Sequence, residues 1–286
     1  NVNPALTAPL QRVSLDAGFA GLLQTGDDTG FAPAFHLGLV IPTRWGVFTG
    51  AAQAAFVSLN TLPLGNTVLG RAGFSRDVTD NLYLGAALYG GANFGGDSPD
   101  WAVALDAGAV YRFGALGFLK DARLGVVLAD IGKTLANSAD GSFPGLVTPK
   151  AGFAALFLSQ GNMNAGFSTD LSFPLFQNML LDAGLQFNYT IQGFTLTAST
   201  GWKLNVRETV KGYDVPLPFA ALAFKFAVNT SGNQFLSSRG WQETDFNVSG
   251  MWQQLYEGVQ LISAGTTINL GARDTEAPKI QLWGED

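Results

Sequence analysis

The chain holds one histidine, His36, and no cysteine. Imidazole chemistry therefore has a single seat, and thiolate nucleophiles, disulfides and cysteine-ligated metals have none. His36 lies in "FAPAFHLGLVIP", where alternation places it on one face with Ala34, Gly38 and Val40. Such a histidine can serve a serine hydrolase or line a path, or it can be a hydrogen-bonded side chain of an enclosed polar face. The second reading is preferred, because no nucleophile-elbow, zinc-binding or phosphate-loop pattern accompanies it. "YGGANFGG", residues 89–96, is a glycine cluster at the end of an alternating stretch. A phosphate cradle needs a helix start behind it, and no helical pattern follows. No catalytic residue, metal or cofactor is assigned, and the chain is not expected to be an enzyme.

The composition says what the outer surface faces. Charged residues make up 13% and hydrophobic residues 47%, with 22 Phe and 6 Trp in 286 residues. That charge content is about half the usual share of a soluble domain. A net charge of −6 argues against nucleic acid as a partner. The longest uncharged window, 46–70, is long enough for a spanning helix, but it contains Gln53, Asn60, Pro63 and Asn66. Its first half alternates instead, with Phe48, Gly50, Ala52, Ala54 and Phe56 in one register. The opening "NVNPALTAP" has neither the basic start nor the apolar run of a leader, as expected of a mature exported chain.

Alternation is the dominant pattern. In "DWAVALDAGAVYRF" one face reads Trp101, Val103, Leu105, Ala107, Ala109, Tyr111 and Phe113. The other reads Ala102, Ala104, Asp106, Gly108, Val110 and Arg112. Ten residues from Trp101 to Tyr111 span about 33 Å as a strand. Tilted by about 40°, they rise roughly 25 Å, the height of the apolar band on an outer-membrane barrel. Lipid cannot hydrogen-bond a backbone, so spanning strands must close on themselves. The fold class expected is all-β, a closed antiparallel transmembrane β-barrel. Strands are placed near 12–23, 32–42, 46–57, 66–76, 81–93, 100–113, 121–130, 147–158, 162–173, 178–190, 193–204, 218–229, 243–254 and 258–272. That makes fourteen, with twelve and sixteen as the neighbouring even counts.

The two faces then divide the functional residues. Trp101, Tyr111, Tyr189 and Trp202 are expected in lipid-facing girdles. Asp16, His36, Arg71, Asp106, Arg112, Asp182 and Lys203 are expected to line the lumen, with Arg123, Lys150, Asp170 and Lys225 on the same face. Mixed signs in an enclosed space imply paired networks, because an unpaired enclosed charge is costly. The inner face is otherwise small, with Gly18, Ala20, Ala34, Ala104 and Gly108 among its members, which leaves room for a plug or an apolar ligand.

Residues 1–11 carry Pro4 and Pro9 and no charge, so they are unsuited to pairing as a strand, yet they are too apolar for a solvated tail. They are expected inside the barrel, with Asp16, Asp106 or Arg112 serving their backbone groups. Asn3, Pro4 and Ala5, just before the first strand, resemble the Asn-Pro-Ala element of the FadL-type long-chain fatty-acid transporters and the related PorV-type barrels. The resemblance implies a hatch over 1–11, a barrel over 12–272 and passive uptake of hydrophobic molecules such as fatty acids across a bacterial outer membrane. A PorV-like scaffold working with an envelope or secretion-complex protein is the alternative it carries, and a general porin is the third. The partners implied are outer-membrane lipid and either a hydrophobic ligand or that complex. Residues 273–286, "DTEAPKI" included, read equally as a linker to an immunoglobulin-like module or as a polar tail.

Overall fold

The computed structural model describes residues 3–25, 29–59, 62–94, 99–135, 147–176, 178–206, 217–229 and 243–271. Fourteen strands run antiparallel around a closed barrel in chain order. They are β1 (Ser14–Gln24), β2 (Gly30–Thr43), β3 (Gly46–Leu59), β4 (Leu62–Asp77) and β5 (Leu82–Phe94), followed by β6 (Asp100–Leu116) and β7 (Leu119–Lys133). The second half holds β8 (Thr148–Gln160), β9 (Met163–Ser172), β10 (Leu180–Ile191), β11 (Phe194–Asn205), β12 (Phe219–Asn229), β13 (Glu243–Tyr256) and β14 (Val259–Asn269). All fourteen strands expected from the alternation are present. Their ends differ by a few residues, as where β6 runs on to Leu116.

The sequence forms this sheet because each strand has one side for each environment. On β6, Trp101 is 58% exposed outward while Asp106 is 0% exposed inward. Leu37, Leu88, Leu128, Leu185 and Leu222 repeat the outward pattern on other strands. A continuous apolar wall of this kind is stable against lipid and not against water. Closure pairs Ser14–Gln24 of β1 with Asn269–Val259 of β14, so no strand edge is left open. No helix among the described residues is long and apolar enough to cross a membrane.

Tight turns join many strands at the end where the chain enters. Gln192 and Gly193 have φ of 45° and 85°, the pair of positive values that a two-residue hairpin turn needs to match strand twist. The β6–β7 ladder carries a bulge, where the register moves between Leu105↔Ile131 and Ala107↔Leu128. Asp130 takes φ of 61° there, and its freed N–H donates to Asp106 Oδ1 at 2.9 Å. An inward carboxylate thus replaces the ladder partner that the bulge removes.

Pro4–Thr7 forms a 3₁₀ turn ahead of β1. Residues 1–2 and 273–286 lie outside the described residues, as do most of the three longest connections.

Candidate functional site

The site is the lumen, and its first component is the N-terminal turn. Pro4 occupies the first turn position, where its missing N–H costs nothing. Asn3 caps the turn through Oδ1, which accepts from Ala5 N at 3.0 Å. The same side chain reaches the wall, donating from Nδ2 to Ala109 O at 3.0 Å and Val126 O at 3.3 Å, and so bridges β6 and β7. Thr7 Oγ1 donates to Pro4 O at 3.1 Å and lies 2.8 Å from Ser75 Oγ on β4. Ala5 and Ala8 are fully buried against Tyr83 and Val110.

Two glycines make the seat. A Cβ at Gly85 would stand 2.6 Å from Ala5 N, and one at Gly108 would overlap Asn3 Oδ1. The small inner face of β5 and β6 is therefore shaped to the turn. The sequence reading looked to Asp16, Asp106 or Arg112 for the segment's polar partners, and the structure corrects this. The turn lies low on β4–β7, where Asn3 and the wall carbonyls suffice, while the three charged groups have other partners.

Those partners form closed networks. Arg71 Nη2 donates to Asp106 Oδ2 at 2.6 Å, and Tyr89 OH donates to Asp130 Oδ1 at 2.8 Å. Arg112 Nη1 donates to the Tyr83 hydroxyl at 3.4 Å and lies 3.9 Å from Asp121. Asp16 accepts from Thr267 Oγ1 at 2.8 Å and sits 3.1 Å from His36 Nε2. Gln53 Nε2 lies 3.2 Å from His36 Nδ1. Both ring nitrogens are thus occupied, and a serine hydrolase would need a hydroxyl where Gln53 stands. A cavity of about 440 Å³ opens beside this group, lined by Gly18, Ala20, Ala34, Ser249 and Ser263 among others. Among the described residues no cluster of three or more His, Cys, Asp or Glu could hold a metal ion.

The opposite wall is different. Asp170, Asp182 and Lys203 stand abreast on β9, β10 and β11, with Lys150 beside them on β8 and Arg123 on β7. Among the described residues none of the five forms an ion pair or a side-chain hydrogen bond. This departs from the paired networks expected there: Asp170 has Gly152 and the like-charged Asp182 across the ladder, and Asp182 and Lys203, though cross-strand neighbours, form no ion pair. They line a chamber of about 650 Å³ whose other side is Asn3 and Leu6. A second chamber, of about 520 Å³, continues along this wall past Arg123, Asn164, Gln186, Asn188 and Ser199. Lys225 does have a partner, Asp245 at 3.2 Å, which also binds Arg12 at 3.2 Å.

The four aromatic residues expected in the girdles point outward as two sets. Trp101 opens β6 and Trp202 nears the end of β11, at the end of the barrel away from the chain entry. Tyr111 and Tyr189 stand toward the other end on β6 and β10. The Lys133 ammonium caps the Trp101 ring at 4.5 Å from its centroid.

The seat of the turn and the Asp106–Asp130 bond escaped the sequence reading. The only signal for the first was glycine at 85 and 108 within otherwise regular alternation.

No protein-family model and no curated protein sequence matches the chain. Solved structures do. A deletion mutant of TodX, a monoaromatic hydrocarbon channel of Pseudomonas putida, superposes with a TM-score of 0.58 at 9% identity, over 94% of this chain and 93% of that one. A Pseudomonas aeruginosa FadL homologue gives 0.53 at 12% identity, over 94% and 91%. A bacterial polysaccharide outer membrane secretin gives 0.50 at 10% identity, over 91% and 98%. The chain has the fold of FadL-type outer-membrane barrels.

Proposed function

We propose that the protein is an outer-membrane channel for passive uptake of small hydrophobic molecules, with its N-terminal segment as a hatch. The observation that carries this is the turn Pro4–Thr7, seated on Gly85 and Gly108 inside the barrel. The turn is held to the wall by the Asn3 and Thr7 side chains and by two buried alanines. Hydrogen bonds of this kind contribute about 1 kcal/mol each. Displacing the turn therefore costs little enough for thermal motion or an arriving solute to move it.

The cargo class follows from the walls. Gly18, Ala20 and Ala34 line a cavity of about 440 Å³ that suits a compact apolar body, with Asp16 and His36 at its edge. Monoaromatic hydrocarbons, named as the cargo of TodX, are the first candidates here, and fatty acids the second. The outward apolar wall, with exposed aromatic residues toward both ends, supports a seat in the bacterial outer membrane.

The experiment is uptake of labelled toluene and of a labelled long-chain fatty acid by cells producing the full chain. Uptake above empty-vector cells for either cargo supports the reading, and equality for both overturns it. A protein recovered stoichiometrically with the barrel in place of uptake would favour a scaffold role instead.

A further inference from the structure

We infer that the barrel contains a second route, a hydrophilic one along the β8–β11 wall, that passes small zwitterionic solutes such as free amino acids. It goes beyond hydrophobic uptake and uses a different part of the lumen.

The wall is polar along most of β10 and β11. Inward positions on β10 read Asp182, Gly184, Gln186, Asn188 and Thr190. Their partners on β11 include Lys203, Ser199, Thr197 and Thr195. Amides and hydroxyls continue the line set by the charges, with Gln186 Nε2 donating to Asn188 Oδ1 at 2.9 Å and Thr197 Oγ1 donating to the same oxygen at 2.8 Å. Across the lumen, the β1–β2 wall presents Gly18, Ala20 and Ala34.

The unpaired charges show that this wall is wet. Charges enclosed without partners cost several kcal/mol each if dry. Asp170 and Lys203 are exposed, and Asp182 and Lys150 are half-buried, in chambers of about 650 Å³ and 520 Å³. Chambers of that size hold many waters, which can solvate such groups. The N-terminal turn forms only the far side of the larger chamber, so the path runs beside it.

The arrangement of sign selects the solute. Asp170, Asp182 and Lys203 stand on adjacent strands, about 5 Å apart along the row. An ammonium group meets the two carboxylates while the carboxylate of the same molecule meets Lys203 on one flank or Lys150 on the other. A hydrocarbon would have to strip this water, and a simple ion would find only half of the row favourable. The two chambers are lined by Arg123, Lys150 and Lys203 and by Asp121, Asp130, Asp170 and Asp182, so the signs nearly balance and no strong ion selectivity is expected.

The test places the folded full chain in planar bilayers and in phosphatidylcholine liposomes. The expected results are steady conductance in potassium chloride with weak ion selectivity, and liposome swelling in glycine faster than in empty vesicles. Asp170→Asn with Asp182→Asn should raise the chloride-to-potassium permeability ratio several-fold, and Lys150→Gln with Lys203→Gln should lower it. A folded wild-type barrel without conductance or glycine swelling overturns the inference, as do two folded double variants with unchanged reversal potential. Glycine swelling by the wild type decides the matter if either variant fails to fold. Hydrocarbon uptake is read separately, so the two routes can fail independently.

Discussion

The lumen has two walls built from the same kinds of residue and used in opposite ways. On β4–β7 every inward charge of the Arg71–Asp106–Asp130–Tyr89 group is committed, and Asp106 is fully buried. On β8–β11 the charges Lys150, Asp170, Asp182 and Lys203 face open chambers without partners. The first wall holds a bulge and a seated turn in shape. The second has nothing to hold, and its charges remain available to whatever enters. A charged lumen residue thus says little until its neighbours across the ladder are known.

The sharpest way to break this contrast is at Asp106. Asp106→Ala removes the carboxylate that Arg71 and the Asp130 N–H both donate to, and should destabilise the barrel by about 3–5 kcal/mol, the sum of two hydrogen bonds to a buried charged group. Urea unfolding in detergent or lipid measures it, and a loss below 1 kcal/mol would show that the network is not structural. The outer wall gives the next largest effect. Leu105→Arg, outward near mid-height, should cost about 2–4 kcal/mol in a bilayer. Ser199→Arg, inward on the wet wall, should be nearly neutral in the same assay.

Gly108→Val tests the seat itself. Its side chain overlaps Asn3, so the turn must leave or the wall must shift, at about 1–3 kcal/mol. Faster protease cleavage within residues 1–11 and higher conductance are the expected signs. Asn3→Ala should loosen the same turn by about 2–3 kcal/mol, since it removes a cap and two wall hydrogen bonds without a clash. The smallest effect belongs to Asp182→Asn, whose unfolding free energy should stay within about 0.5 kcal/mol of wild type. A larger loss would mean that the β8–β11 wall is as structural as its opposite.

Much of the fold was legible because a barrel between lipid and lumen imposes period two on every strand, over lengths that soluble strands rarely reach. Trp101 to Phe113 carries that pattern almost without exception, and so do Leu180 to Ile191 and their partners. Which charges would pair was not legible. Arg71 and Asp106 sit two strands apart, with Tyr89 and Ala87 between them, so their meeting depends on register and on the small side chain at 87. The bulge was hidden for a similar reason. Asp130 is not a glycine, and nothing around it in sequence announces a left-handed backbone. The glycines at 85 and 108 were visible only as gaps in an apolar inner face, since what fills them lies about eighty and a hundred residues earlier in the chain.

The seated turn also orders the way the barrel comes together. Asn3 bonds carbonyls 106 and 123 residues further on, whereas the β1–β14 seam joins Ser14 to Asn269, with Ser14 Oγ donating to Asn269 Oδ1 at 2.6 Å. Loop-closure entropy makes the seam the most demanding contact, and it forms after those of shorter separation. By separation alone, the turn is expected to dock on an open sheet of β4–β7 before the last two edges meet. The barrel closes around its own N-terminus, and no strand has to part to admit it.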